Sequence, residues 1–133
     1  MADNAISDAY QSVVPYLIVT DANELIEFLK HALGGTERMR SSGSNGAIMH
    51  AEVQIGDSVI MVADALDETR VRTAMLHLYV ADVDADYNRL LNAGGESIRK
   101  PADQAYGDRT AATKDRWGNE WWLATHIRHA APA

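Results

Sequence analysis

The feature that most constrains this chain is an internal repeat. Shifted by 61 positions, Leu17 falls on Leu78, Val19 on Val80, Asp21 on Asp82, Leu29 on Leu90, Ala32 on Ala93, Gly34 on Gly95 and Arg38 on Arg99. Strand residues, a helix-capping aspartate, the buried helix face and the glycine stop coincide at one offset, which points to a duplicated supersecondary unit. Each copy reads as strand, helix and three strands.

In the first copy the β-branched and aromatic run 13–19 is a strand, Asp21 stands where a helix N-cap belongs, and 22–33 carries Leu25, Ile26, Phe28, Leu29 and Ala32 on a helical period. Gly34-Gly35 stop that helix. A polar strand over 36–42, a turn at 43–46, a strand over 47–55, the tight turn Gly56-Asp57 and a returning strand over 58–63 follow. The second copy gives a strand over 75–80, Asp82 as cap, a helix over 83–93, a short strand over 97–99, a loop over 101–107, and strands over 109–114 and 121–125 around a turn at 117–119. The expected organisation is a flexible N-terminus (1–12), one domain (13–127) made of modules 13–64 and 74–127 joined by a charged linker (65–73), and a flexible tail (128–133). The fold class is α+β: two βαβββ modules forming a cupped eight-stranded mixed sheet, with a helix on each module's outer face. Such a cup is a ready-made ligand site.

With 133 residues and 47% apolar composition the chain can bury a real core. A formal net charge of −7 argues against a nucleic-acid surface, which needs a basic stripe. The absence of cysteine excludes disulfides, thiolate catalysis and cysteine-bound zinc. No signal peptide or membrane-length apolar run is visible, so a cytoplasmic location is expected.

The duplicated module resembles the vicinal-oxygen-chelate superfamily of glyoxalases, extradiol dioxygenases and bleomycin-resistance proteins, in its PhnB-type branch. The resemblance covers 13–125. It is carried by Pro15-Tyr16-Leu17-Ile18-Val19, His50-Ala51-Glu52, Ile55-Gly56-Asp57-Ser58, the run from Asp103 to Arg109, and Asp115-Arg116-Trp117-Gly118-Asn119 with the strand after it. Arg116-Trp117 replace the Pro-Phe that is usual at that last turn. The resemblance places the superfamily's usual metal positions at Val14, Met61, Met75 and Trp122. Valine and tryptophan offer no lone pair, and thioether sulfur suits soft copper(I) rather than the usual divalent ions. No cofactor is therefore expected.

Strand alternation turns Tyr16, His50, Glu52 and Met61 of the first module, and Met75, His77, Tyr79, Glu120 and Trp122 of the second, toward the cup. Tyr106 and Arg109 join the candidate ligand contacts, Arg109 as a clamp for a carboxylate or phosphonate. Aromatic rings beside Glu52 and Glu120 suit an aromatic or cationic ligand. An alternative metal set is His50, Glu52, His77 and Glu120, set against plain ligand contacts and structural hydrogen bonds. His126 and His129 read as surface residues and Trp121 as core. The expected function is small-molecule binding of the bleomycin-resistance type, with antibiotic sequestration as one form, by a homodimer. The alternative is a lyase, isomerase or dioxygenase on the non-classical site, or a metal-free acid/base enzyme with His50, Glu52 or His77 as catalytic groups.

Overall fold

The computed structural model describes residues 7–128. Its elements run β1 (Tyr16–Val19), α1 (Ala22–Leu33), β2 (Thr36–Ser42), β3 (Ile48–Ile55), β4 (Ser58–Asp64), β5 (Met75–Tyr79), α2 (Val83–Asn92), β6 (Glu96–Asp103), β7 (Asp108–Lys114) and β8 (Glu120–His126). Hydrogen bonding gathers the strands into two mixed sheets of four, ordered β1-β4-β3-β2 and β5-β8-β7-β6. In each, the first strand of the module runs parallel to the last and the other pairings are antiparallel. The α+β class and the doubled βαβββ order read from the repeat are those of the structure. Contacts divide the chain into two units: residues up to Lys30 with Gly34–Arg72, and His31–Leu33 with everything from Thr73 onward.

In the first unit the helix-facing residues are Leu17, Val19, Val53 and Val62 on the strands and Leu25, Ile26 and Leu29 on α1, all at most 1% exposed. Burying each such side chain contributes roughly 1.5–3 kcal/mol. α1 ends as expected, with Gly34 in the left-handed region at φ 67°. Gly35 packs so closely that a Cβ there would meet Val53 Cγ1 at 2.8 Å. In the second unit Val83, Leu90, Ala111, Trp121 and Leu123 form the corresponding core, so Trp121 is the core residue it was read to be.

Several boundaries differ from the sequence reading. β1 starts at Tyr16, because Pro15 has no N–H to give; its carbonyl accepts from Met61 N–H at 2.9 Å, and Val13 is exposed. Asp21 holds the N-cap position of α1, as expected, but it is left-handed at φ 67° and its side chain makes no cap bond. The amide of Ala22 instead donates to Asp64 Oδ1 at 2.8 Å. Asp82, its repeat mate, does cap α2, accepting from Ala85 N–H. β6 runs on through Pro101 to Asp103, where a loop was expected. It is an edge strand, and its register with β7 is irregular between Arg99 and Ala102, so Pro101 falls where the pairing is already interrupted. The linker is also ordered: Glu68–Arg70 form a 3-10 turn, and Arg72 exchanges both backbone hydrogen bonds with Ile18 (2.9 and 2.8 Å), covering the free edge of β1.

The expected flexible N-terminus is pinned over the part that is described. Gln11 makes two side-chain hydrogen bonds to the Val59 backbone, and Arg38 donates to the Ala9 carbonyl. Residues 1–6 and 129–133, with His129, lie outside the described residues.

Candidate functional site

Because side chains alternate along a strand, the face of each sheet away from its core residues carries a row running across all four strands. In the first unit that row is Met39, Glu52, Met61, Tyr16, as the tight turn at Gly56-Asp57 requires. His50 stands two residues before Glu52 on the same face of β3. These side chains form a chain of hydrogen bonds: Tyr16 Oη to His50 Nδ1 at 2.8 Å, His50 Nε2 to Glu52 Oε2 at 3.0 Å, and Tyr10 Oη to the same Glu52 oxygen at 2.6 Å. An ionised carboxylate only accepts, so Nε2 carries the proton; in the neutral ring Nδ1 then accepts from the Tyr16 phenol.

Glu52 is buried. Burial alone would raise its carboxyl, but hydrogen bonds from Tyr10 and His50, with the nearby Arg38 charge, outweigh it and hold the group below its usual value. The same hydrogen bond to Glu52, followed by burial, raises the Tyr10 phenol, and burial raises that of Tyr16. Arg38 stacks 5.3 Å above the Tyr10 ring. Glu52 is thus enclosed by its own chain, with Tyr10 and His50 on its carboxylate.

In the second unit the corresponding row is Arg99, Ala112, Trp122, His77. Ala112 leaves a gap that Arg99 crosses to lie 5.3 Å above the Trp122 ring. The Trp122 indole N–H donates to Glu120 Oε1 at 2.9 Å. On β5, Met75 and Tyr79 are 64% and 70% exposed, and the exposed His77 meets the Tyr79 ring edge-on at 5.2 Å. On this face β5 is more exposed than the row of the first unit, where Tyr16 is 41% and Met39 42% exposed and Glu52 is buried.

Two expected contacts are placed elsewhere. Arg109 is not available as a ligand clamp: its Nε and one terminal nitrogen hold Asp84 at 2.7 and 3.0 Å, and the other holds Asp103 at 2.9 Å. Those two carboxylates, Asp84 first, raise its already high pKa further. Tyr106 sits exposed on the turn between β6 and β7, off the row.

The metal positions implied by the resemblance do not fit a divalent ion. Met61 pairs beside Tyr16, Met75 pairs beside Glu120, and Trp122 offers an N–H donor already engaged. Among the described residues no group of three or more His, Asp or Glu side chains is placed to hold a metal; of the alternative set, His50 and Glu52 stand on the first unit and His77 and Glu120 on the second. Within that set, His50 and Glu52 bond each other.

The turn after β7 is organised by buried Asp115. Its Oδ1 accepts from the amides of Trp117 and Asn119, and its Oδ2 from the Asn119 side chain and the Trp121 indole. Beside it lies an open cavity of about 350 Å³ lined by Gly94, Glu96, Lys114, Arg116 and Trp117 with this turn. Sequence reasoning missed Tyr10, Arg38 and Arg99 as site residues. The signal was present in the repeat, which pairs Arg38 with Arg99; each lies over an aromatic ring at the same 5.3 Å.

A family model described as Glyoxalase/Bleomycin resistance protein/Dioxygenase superfamily matches residues 10–123. Protein Rv0887c of Mycobacterium tuberculosis H37Rv is 32% identical over 125 residues, covering 86% of this chain and 74% of that protein. Among solved structures, TioX from Micromonospora sp. ML1 superposes with a TM-score of 0.73 at 24% identity, covering 88% of this chain and 99% of the other. A PhnB protein from Bacillus cereus superposes with a TM-score of 0.69 at 14% identity, covering 86% and 99%. At these identities the two structures establish the shared fold.

Proposed function

Since the chain belongs to the glyoxalase/bleomycin resistance protein/dioxygenase superfamily, whose model it matches over residues 10–123, we propose that it is a small-molecule binding protein that takes an aromatic compound without a metal at the usual positions. The observation that carries this reading is the open face of the second sheet, where Met75, His77 and Tyr79 stand exposed beside Trp122. Large apolar and aromatic side chains left open on one face of a sheet mark a binding surface more often than a free one. Antibiotic sequestration is one form this binding would take, in the cytoplasm and as a homodimer. None of the described helices is long and apolar enough to cross a membrane. The test is a fluorescence and calorimetric screen of aromatic compounds in buffer containing chelator. Saturable quenching that is lost in Trp122→Ala supports the reading. Binding that appears only after a transition metal is added overturns it.

A second reading rests on the Tyr16–His50–Glu52 chain. A buried carboxylate orients an imidazole whose other nitrogen meets a part-exposed hydroxyl, the arrangement that general acid/base catalysis needs. In this reading His50 is the base that moves a proton through Tyr16. Turnover of a bound compound that is lost in His50→Gln, with binding retained, would favour it.

A further inference from the structure

We propose that Arg99 is the charge-recognising residue of this binding face, and that the compound taken there is a planar aromatic carboxylate. The inference rests on the binding reading above and adds a ligand class to it. The chain has 19 Asp and Glu against 12 Lys and Arg, so a guanidinium has many potential partners. Arg40, Arg89 and Arg109 each hold a carboxylate. Arg99 holds none: among the described residues its guanidinium has the stack on Trp122 and no carboxylate partner. That stack fixes the plane of the guanidinium and reduces the freedom it would lose on binding, while its N–H edge stays without a protein acceptor.

The row places the remaining parts in order. Ala112 has no side chain beyond its methyl, so Arg99 reaches Trp122 without obstruction, and His77 lies on the other side of the indole. Glu120, the carboxylate closest along the strand, accepts from the Trp122 N–H. A ligand carboxylate would take the guanidinium fork bidentately, and its ring would lie along Trp122 toward His77 and Tyr79. A cationic ligand would meet an indole that already carries a cation. In the first unit the equivalent arginine, Arg38, is not free in this way, since it donates to the Ala9 carbonyl. Among the described residues, Arg99 is thus stacked on a ring without a hydrogen-bonded acceptor, as Arg38 is not.

The test titrates the full chain with three probes of one shape, 2-naphthoate, 2-naphthamide and 2-naphthylmethylammonium, by tryptophan quenching and calorimetry. The expected order puts naphthoate tightest. Arg99→Gln weakens naphthoate by about tenfold or more and leaves naphthamide unchanged. Arg99→Lys recovers part of the loss, because it keeps the charge without the fork. Arg99 is exposed, so circular dichroism of both variants should match the parent. If naphthamide or the ammonium binds as tightly as naphthoate, or Arg99→Gln spares naphthoate, the carboxylate inference is overturned while the binding reading stands. If no probe of any charge binds, the binding reading itself fails and takes the inference with it.

Discussion

The phenol of Tyr10 donates to Glu52 Oε2 at 2.6 Å, joining residues 42 positions apart. This bond lays the segment before β1 across the first sheet and buries the carboxylate on which His50 and, through it, Tyr16 depend. It also makes the contact sensitive to pH at both ends. Glu52 is held below its usual value of 4.5, so its contribution is complete above about that pH and is lost as pH falls through the lowered folded value. Tyr10 is raised above 10.0, so its contribution is complete below that pH and is lost as pH rises through the raised folded value. Thermal melts across the pH range should show the gap between the parent and Glu52→Gln closing on the acid side. The gap to Tyr10→Phe should close at both extremes. A gap independent of pH would show that the bond does not form in solution.

Asp64 should matter more than its place at the end of β4 suggests. Its two oxygens accept from the amides of Ala22 and Ile48, at 2.8 and 2.7 Å, so one carboxylate ties the start of α1 to the start of β3. Asp64→Ala removes both acceptors and should cost about 1–3 kcal/mol in denaturant unfolding. Thr125 serves the same position of the repeat, accepting from the amide of Val83. Its hydroxyl also donates to the Val80 carbonyl, and Thr125→Val should cost less because hydrogen bonds to a neutral hydroxyl are weaker than those to a carboxylate.

Asp115→Ala should be among the most damaging single changes. Four donors converge on this buried carboxylate, including the indole of fully buried Trp121. Several would be left unpaired in a place water does not reach, at roughly 3 kcal/mol or more in total. Asp115→Asn retains one acceptor oxygen but turns an NH2 toward other donors, and should fall between parent and alanine. Equal stability of all three proteins would show that the turn is not held by this residue.

Much of the fold was legible because its signals are local. The helical periods, Gly34 and Gly94-Gly95 as stops, and the two-residue turn at Gly56-Asp57 fix elements and register from neighbouring residues alone, and the pairing of Glu52 with Met61 followed from that turn. What could not be read depends on partners distant in sequence. Nothing beside Arg109 shows that Asp84, on α2, takes its fork. Nothing beside Glu52 shows that Tyr10 covers it. Asp21 and Asp82 both hold the N-cap position of their helix, yet only the Asp82 side chain makes a cap bond. Their immediate sequences do not separate them.

Divalent transition metals should leave the protein unaffected. A site with a dissociation constant one hundredth of the metal concentration would stabilise the fold by about 2.7 kcal/mol, a shift that melting experiments resolve easily. With Val14, Met61, Met75 and Trp122 at the positions the resemblance implies for a metal, zinc, nickel or manganese should not raise the melting temperature. Chelator should not lower it. A stoichiometric rise with any of them would show that the protein does hold a metal.

Gly35 and Gly95 lie one position out of the 61-residue offset, yet each closes the end of its helix in a comparable way. The amide of Gly35 donates to the carbonyl of Leu29 at 3.0 Å, and that of Gly95 to the carbonyl of Leu90 at 2.9 Å. A Cβ on Gly35 would meet Val53 Cγ1 at 2.8 Å and the Leu29 carbonyl oxygen at 3.1 Å. On Gly95 it would meet the Leu90 carbonyl oxygen at 2.9 Å. Both alanine variants should therefore be destabilised by overpacking, on the order of 1–3 kcal/mol. Gly95→Ala should be the worse of the two. Its closest clash is with backbone, which cannot move without disturbing the end of α2, whereas a valine methyl can be relieved by a change of rotamer. Combining Gly35→Ala with Val53→Ala should recover part of the loss by removing the clashing methyl, offset by the cavity it leaves. No recovery in that double variant would place the strain at the Leu29 carbonyl instead.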